Sequence, residues 1–226
     1  MTKALICGDF HVPFHDVSAF KALCAFARDY NPDVLAIHGD LVDFEAFSRF
    51  LKDPRSTSNP QKELDRAGEL MQSLLAVTSP KRLIWGVGNH EYRLEKLILK
   101  SAPSLIFLDS LNLVELLGLH DWEVIPNEGF LKLDNLIIQH GVSYGPTTND
   151  KNIARFGGFN IVQGHSHRLS QKFVRSLHGV HSAVEAGCLC RLDPKYTPHP
   201  NWAQGFATYE NSQLRIHLIH KGKVVS

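Results

Sequence analysis

The chain has 226 residues, 43% hydrophobic and 21% charged, with 24 basic against 23 acidic side chains and a formal net charge of +1. That balance fits one globular domain over residues 1–226 with a core of its own, and excludes a disordered, collagen-like or coiled-coil chain. It also excludes a broad basic field for gripping nucleic acid, although a local patch is compatible with it. Short apolar runs that end in polar, glycine-containing turns read as buried strands. The first is Lys3–Cys7, before Gly8-Asp9. Ser18–Tyr30 follows as a helix, with Phe20, Leu23, Cys24, Phe26 and Ala27 at helical spacing. Val34–Ile37 ends at His38-Gly39-Asp40. Asp53–Pro60 reads as a polar, mobile loop with two prolines. Lys62–Val77 is a second amphipathic helix, and Arg82–Trp85 a strand ending at Gly86-Val87-Gly88-Asn89. Residues 92–119 read as a helical insertion richer in leucine than one helix face needs; it can pack on the core, cover the site or form a homodimer contact. Leu136–Ile138 and Ile161–Val162 are strands closed by Gln139-His140-Gly141 and Gln163-Gly164-His165. The alternation of strands and helices implies a partly parallel α/β sheet. Ser182–Gly187, Gly205–Glu210 and Gln213–His220 read as strands of a second, more antiparallel sheet, with Glu210-Asn211-Ser212 as a hairpin turn.

The four cysteines, Cys7, Cys24, Cys188 and Cys190, form no paired CxxC framework and read as reduced thiols. Cys188-Leu189-Cys190 is too short for the usual zinc spacing. Met1–Cys7 is too short for the apolar region of a secretory leader, and no run approaches the ~18 apolar residues of a membrane span. A cytoplasmic location without membrane attachment is therefore expected.

Histidine is abundant, with 13 residues, and much of it is placed rather than scattered. The polar groups that follow the strands are Asp9-x-His11, Gly39-Asp40-x-x-Asp43, Gly88-Asn89-His90-Glu91, His140 and Gly164-His165-x-His167. In doubly wound sheets ligands bind beyond the carboxyl ends of strands, so these side chains are expected around one centre. Carboxylates, an amide oxygen and imidazoles together suit borderline divalent ions better than calcium. Taken singly, each group has a plainer reading. Asp9 and His11 could form a solvated turn, Asn89 could cap the helix that starts near Tyr92, and His140 could be a satisfied strand-end histidine. His15 and His38 lie close enough to the groups to support them from behind. His120, His178, His181, His199, His217 and His220 match no group. The number of ligands implies two ions, ~3.5–4 Å apart and bridged by a carboxylate, as in sites for in-line displacement at phosphorus.

In order and spacing the five groups resemble the blocks DxH, GDxxD, GNH(D/E), H and GHxH of the calcineurin-like metallophosphoesterase superfamily, over Asp9 to His167. The resemblance implies a four-layer αββα sandwich of two mixed β-sheets, with a dinuclear metal site at the C-terminal strand ends. It implies that Asp9, His11 and His167 bind one ion, that Asn89, His140 and His165 bind the other, and that Asp40 bridges them. The ions would be Mn, Fe, Zn, Ni or Co, with Mn favoured, and a hydroxide between them would be the nucleophile. His90 would stabilise the phosphoryl oxygens or protonate the leaving group, and Asp43 would hold the His90 ring.

Where the superfamily's Ser/Thr protein phosphatases carry GDxHG and GDxVDRG, this chain has Val12 and Phe44-Glu45, so a phosphate-clamping arginine is absent and protein phosphatase activity is not expected. The tyrosine ligand of purple acid phosphatases is also missing, and a chain ending at Ser226 leaves little room for the capping domain of the family's larger nucleases. The pattern is that of the small single-domain enzymes common in bacteria and phages. A phosphodiesterase acting on a nucleotide or a nucleic-acid end is expected; the alternatives are a small-molecule phosphomonoesterase and a non-catalytic metal-binding platform. Arg93, Lys151, Arg155, Arg168 and Arg191 are candidate substrate contacts, with Arg168 first because it follows His167 directly. The proline-rich stretch 193–202, with Tyr196 and Trp202, is either a stacking rim or a loop whose aromatics plug the core.

Overall fold

A computed structural model describes residues 2–49, 58–194 and 199–225. Most of the expected Asp53–Pro60 loop, and Tyr196, lie outside them. In chain order the elements are β1 (Lys3–Cys7), α1 (Val17–Tyr30), β2 (Val34–Ile37), α2 (Pro60–Leu75), β3 (Arg82–Gly86), α3 (Tyr92–Ser101), α4 (Leu113–Leu117), β4 (Glu123–Ile125), β5 (Leu131–Leu133), β6 (Leu136–Gln139), α5 (Thr148–Arg155), β7 (Asn160–Gln163), β8 (Leu169–Ser176), β9 (Gly179–Ala186), β10 (Gly205–Glu210), β11 (Gln213–His220) and β12 (Lys223–Val225). Both long helices carry sequence-encoded starts. Asp16 accepts from the Ser18 and Ala19 amides, and Asn59 accepts from the Lys62 amide ahead of a first-turn proline.

The strands form two mixed sheets, ordered β12-β11-β10-β1-β2-β3-β4 and β5-β6-β7-β9-β8. Period-two alternation sorts their side chains into layers. From β1 and β2, Leu5, Cys7, Leu35 and Ile37 face the helices, in a core shared with Leu23 of α1 and Leu70 and Leu74 of α2. Ala4, Ile6, Val34 and Ala36 point the other way, onto Leu136, Ile138, Val162 and Val184 of the second sheet. Ile137, Ile161 and Ala183 form the outer face of that sheet, under Ile153 of α5. The result is a four-layer αββα sandwich. A one-residue slip of β1 would exchange both of its buried faces, and each buried leucine or isoleucine is worth about 1.5–3 kcal/mol.

The expectation for the C-terminal third is corrected in part. Of the three strands expected there, β9 does belong to the second sheet, together with β5–β8, but β10–β12 extend the first, with β10 antiparallel to β1 in the register Lys3↔Glu210 to Ile6↔Ala207. The reason lies in β1. A strand apolar on both faces is a central strand, and β2 covers only one of its edges. The turn between β10 and β11 is the expected tight hairpin, with Asn211 and Ser212 both at positive φ (52° and 62°).

Residues 92–119 contain α3, two short 3₁₀ turns and α4. Leu117 and Leu119 enter the helix-side core. Leu105, Ile106 and Phe107 are exposed, Phe107 at 85%. Among the described residues no helix is long and apolar enough to cross a membrane.

Candidate metal centre

β1, β2 and β3 run parallel in one sheet, and β6 and β7 run parallel in the other. Their C-terminal ends open onto a common edge, and all five polar groups meet there. Asp9, His11, Asp40, His165 and His167 are held at positive φ, between 48° and 66°. Non-glycine residues pay for that backbone conformation in strain, and such strain concentrates where side chains must be aimed.

The donor atoms fall into two sets that share Asp40. In the first set, His11 Nε2 lies 3.0 Å from His167 Nε2. The His167 nitrogen is 3.2 Å from Asp9 Oδ1, and the His11 nitrogen is 3.8 Å from Asp9 Oδ1 and 3.6 Å from Asp40 Oδ2. In the second set, His140 Nε2 is 3.4 Å from the same Asp40 Oδ2 and 3.1 Å from Asn89 Oδ1, which is 2.6 Å from His165 Nδ1. The separations scatter around the ~3.4 Å expected between ligand atoms on a tetrahedral ion with bonds near 2.1 Å. Asp9, His11, Asp40, His140 and His167 are all buried. The convergence of carboxylate, amide oxygen and imidazole on two points sharing one carboxylate fits a pair of borderline divalent ions.

Asn89 does not cap α3. The residue before that helix is Glu91, which makes no side-chain cap, and the Asn89 oxygen turns to the two histidines instead. Asp43 serves two rings: its Oδ1 is 3.1 Å from both His11 Nδ1 and His90 Nδ1. The His90 Nδ1 also lies 2.9 Å from the Asp43 carbonyl, and its amide donates to Asp40 Oδ1 at 2.9 Å. Arg93 donates to the Asp43 carbonyl at 2.8 Å and places Nη2 2.9 Å from His90 Nε2.

Charges across the cluster are strongly coupled. Burial alone would raise the Asp9 carboxyl, but His167 and His11 hold it well below the usual range. Burial would lower His140 and His167, yet Asp40 and Asp9 respectively outweigh it and hold each imidazole up to about 9. Ligation requires neutral imidazole, so protons and metal compete. Apparent affinity for a divalent ion is expected to rise with pH towards about 9, with proton release on binding. Calorimetry in buffers of different ionisation enthalpy reads that release, and a pH-independent affinity would contradict it.

Arg168, the first candidate substrate contact, has protein partners of its own. Its Nη2 donates to the Tyr144 carbonyl and, at 2.6 Å, to the Gly145 carbonyl, while Nε lies 3.3 Å from Glu185 Oε1. Arg168 leads into β8, which pairs with β9, and its side chain reaches across to Glu185 rather than into the site. Lys151 and Arg155 line a small cavity with Gln139 and Gln163, and Arg191 lines a separate cleft beside His15. Among the described residues, Arg93 is the guanidinium seated on the cluster through His90 and Asp43.

Several further residues support the cluster from behind. The Glu91 carboxylate is fully buried and accepts from the amides of Asp40, Leu41, Val42 and Gly88. The buried His38 ring places Nδ1 3.6 Å from Asp9 Oδ2, and burial pushes it down to about 4. It also accounts for Gly164, where a Cβ would come within 2.2 Å of the ring. His15 lies away from the ligands, on the separate cleft. Cys190 Sγ is 3.8 Å from His167 Nδ1, and the Trp202 ring packs on His167 at 4.3 Å. Trp202 therefore packs behind a candidate ligand, His167.

The calcineurin-like phosphoesterase family model matches residues 2–196, and the chain belongs to that family. Its chemistry is metal-dependent hydrolysis of phosphoric esters, and the family implies divalent ions at this centre. The Gene 54 protein of Mycobacterium phage D29 is 27% identical over 241 residues, 96% of this chain and 92% of its own length. The Gene 54 protein of Mycobacterium phage L5 is 26% identical with the same coverage. Among solved structures, wild-type Vps29 from Entamoeba histolytica complexed with zinc superposes with a TM-score of 0.50 at 14% identity, over 99% of this chain and 96% of that one. Vacuolar Protein Sorting 29 from Cryptosporidium parvum gives 0.51 at 15% identity, over 99% and 94%. At such identities the likeness shows the fold.

Proposed function

We propose that the chain is a phosphodiesterase acting on a nucleotide or a nucleic-acid end. Asp9, His11, Asp40 and His167 would hold one divalent ion, and Asp40, Asn89, His140 and His165 the other, with Mn the favoured metal. Bound there, the ions supply Lewis-acid charge at the phosphoryl oxygens and bring the pKa of water towards neutrality. The side chains do the remaining work. The less buried side of the cluster carries Asp43, Asn89, His90 and His165, so the ester approaches from there. Donation from His90 Nδ1 to the Asp43 carbonyl leaves Nε2 turned towards Asp40 Oδ2, 4.0 Å away. That nitrogen also accepts from Arg93 Nη2 at 2.9 Å, so it would meet a phosphoryl or leaving-group oxygen after taking up a proton and releasing Arg93.

What supports the diester preference is that, among the described residues, the guanidinium seated on the cluster, that of Arg93, already has protein partners. A diester holds one negative charge at phosphorus and a monoester close to two. A dianion is matched by a bidentate arginine clamp, whereas Arg93 is shared between His90 and Asp43 and Arg168 is committed to Glu185.

In Mn²⁺, bis-p-nitrophenyl phosphate is expected to turn over faster than p-nitrophenyl phosphate, with both rates lost in EDTA. A faster monoester rate would overturn the diester reading. His90→Ala is expected to lower kcat by about a hundredfold with the metal content retained. Loss of the metals in that variant would make His90 a ligand rather than a catalytic group.

A further inference from the structure

The segment between His140 and α5 is tightly held yet leaves an aromatic side chain in water. Arg168 Nη2 binds the Tyr144 and Gly145 carbonyls, and Thr148 Oγ1 donates to the Gly145 carbonyl at 2.7 Å. Behind Arg168 stands the buried Glu185, which accepts from Ser170 Oγ at 2.7 Å, and Ser170 Oγ in turn accepts from Asn149 of α5 at 2.8 Å. The hydrogen bonds from Arg168 and Thr148 to the Tyr144 and Gly145 carbonyls hold the backbone of the segment, with the Glu185 carboxylate facing the guanidinium from behind. Tyr144 is nevertheless 74% exposed, and its ring centroid lies 6.0 Å from that of His165 in an edge-on arrangement. The ring stands at the open side of the cluster, next to a proposed ligand.

We propose that Tyr144 is the stacking platform for the base of a nucleotide substrate, and that Arg168 and Glu185 are the residues that position it. This rests on the phosphodiesterase reading for the placement of the phosphate, and it adds where the rest of the substrate lies. Aromatic rings bind any base through its π-face, so the platform would favour nucleoside esters over alkyl esters without reading sequence. It would give a chain without a basic field a means of selecting nucleoside esters. Positioning by the backbone of a pinned loop lets the ring be pre-set before substrate arrives, which lowers the entropy lost on binding.

The test is binding, read independently of turnover. Calorimetry on the Mn²⁺-loaded protein compares thymidine 5′-phosphate with methyl phosphate. The wild type is expected to bind the nucleotide about tenfold more tightly. Tyr144→Phe should keep that ratio, and Tyr144→Ala should bring it close to one. A wild-type ratio near one, or a ratio that survives Tyr144→Ala, overturns the proposal. A preference for the monoester p-nitrophenyl phosphate in the rate comparison would overturn the diester reading alone, because the binding ratio does not depend on which ester is cleaved.

Discussion

Asp40→Asn is expected to lower kcat on bis-p-nitrophenyl phosphate by about a thousandfold, equivalent to roughly 4 kcal/mol of lost transition-state stabilisation. Asp40 is the residue common to both donor sets, with Oδ2 3.6 Å from His11 Nε2 and 3.4 Å from His140 Nε2. Its Oδ1 also accepts from the His90 amide. Asparagine is the informative replacement. It keeps an oxygen for that amide and tolerates the φ of 48°, a conformation in which alanine is strained. The measurement is a steady-state rate at saturating Mn²⁺, beside a melting curve. A folded variant within tenfold of wild type would remove Asp40 from the bridge.

Glu91→Ala is expected to destabilise the fold by about 4 kcal/mol, a fall in Tm of roughly 10 °C. The carboxylate takes four backbone amides from the Asp40 and Gly88 turns, at 2.5 to 3.1 Å. Removing it strands those donors in a buried place, where no water can replace the acceptor. Because the same turns aim Asp40 and Asn89, metal affinity should fall along with stability. Gly88 belongs to this arrangement, since a Cβ there would lie 2.1 Å from Asp40 Oδ1 and 2.8 Å from Glu91 Oε2. Denaturant unfolding decides the matter: a loss below 1 kcal/mol would show that the amides find other partners.

The strands and the candidate donors were legible because both are written in local pattern, while the four-layer arrangement came from the family resemblance. Lys3–Cys7 and Val34–Ile37 alternate between two apolar faces, and each proposed ligand follows a strand at short range. Pairing between distant strands was less legible. The sequence of β10 reads as a strand, but nothing local says that it pairs with β1 rather than β9. What decides it is that β1 is buried on both faces and needs a second neighbour. Roles fixed by backbone geometry were also hidden. Glu91 stands inside a recognised block, yet its four amide partners come from turns that only the fold brings together. Arg168 has partners that adjacency in sequence did not announce. Adjacency to His167 suggested a phosphate contact, whereas the side chain crosses to Glu185 and holds a loop. Tyr144 had no signal in spacing, because its place depends on that loop.

The central claim is two ions joined through Asp40, and low-temperature electron paramagnetic resonance of the Mn²⁺-loaded protein tests it most directly. Two Mn²⁺ per chain are expected, with a spin-coupled signal that disappears in Asp40→Asn. A single ion per chain, or two ions without coupling in the wild type, would contradict it.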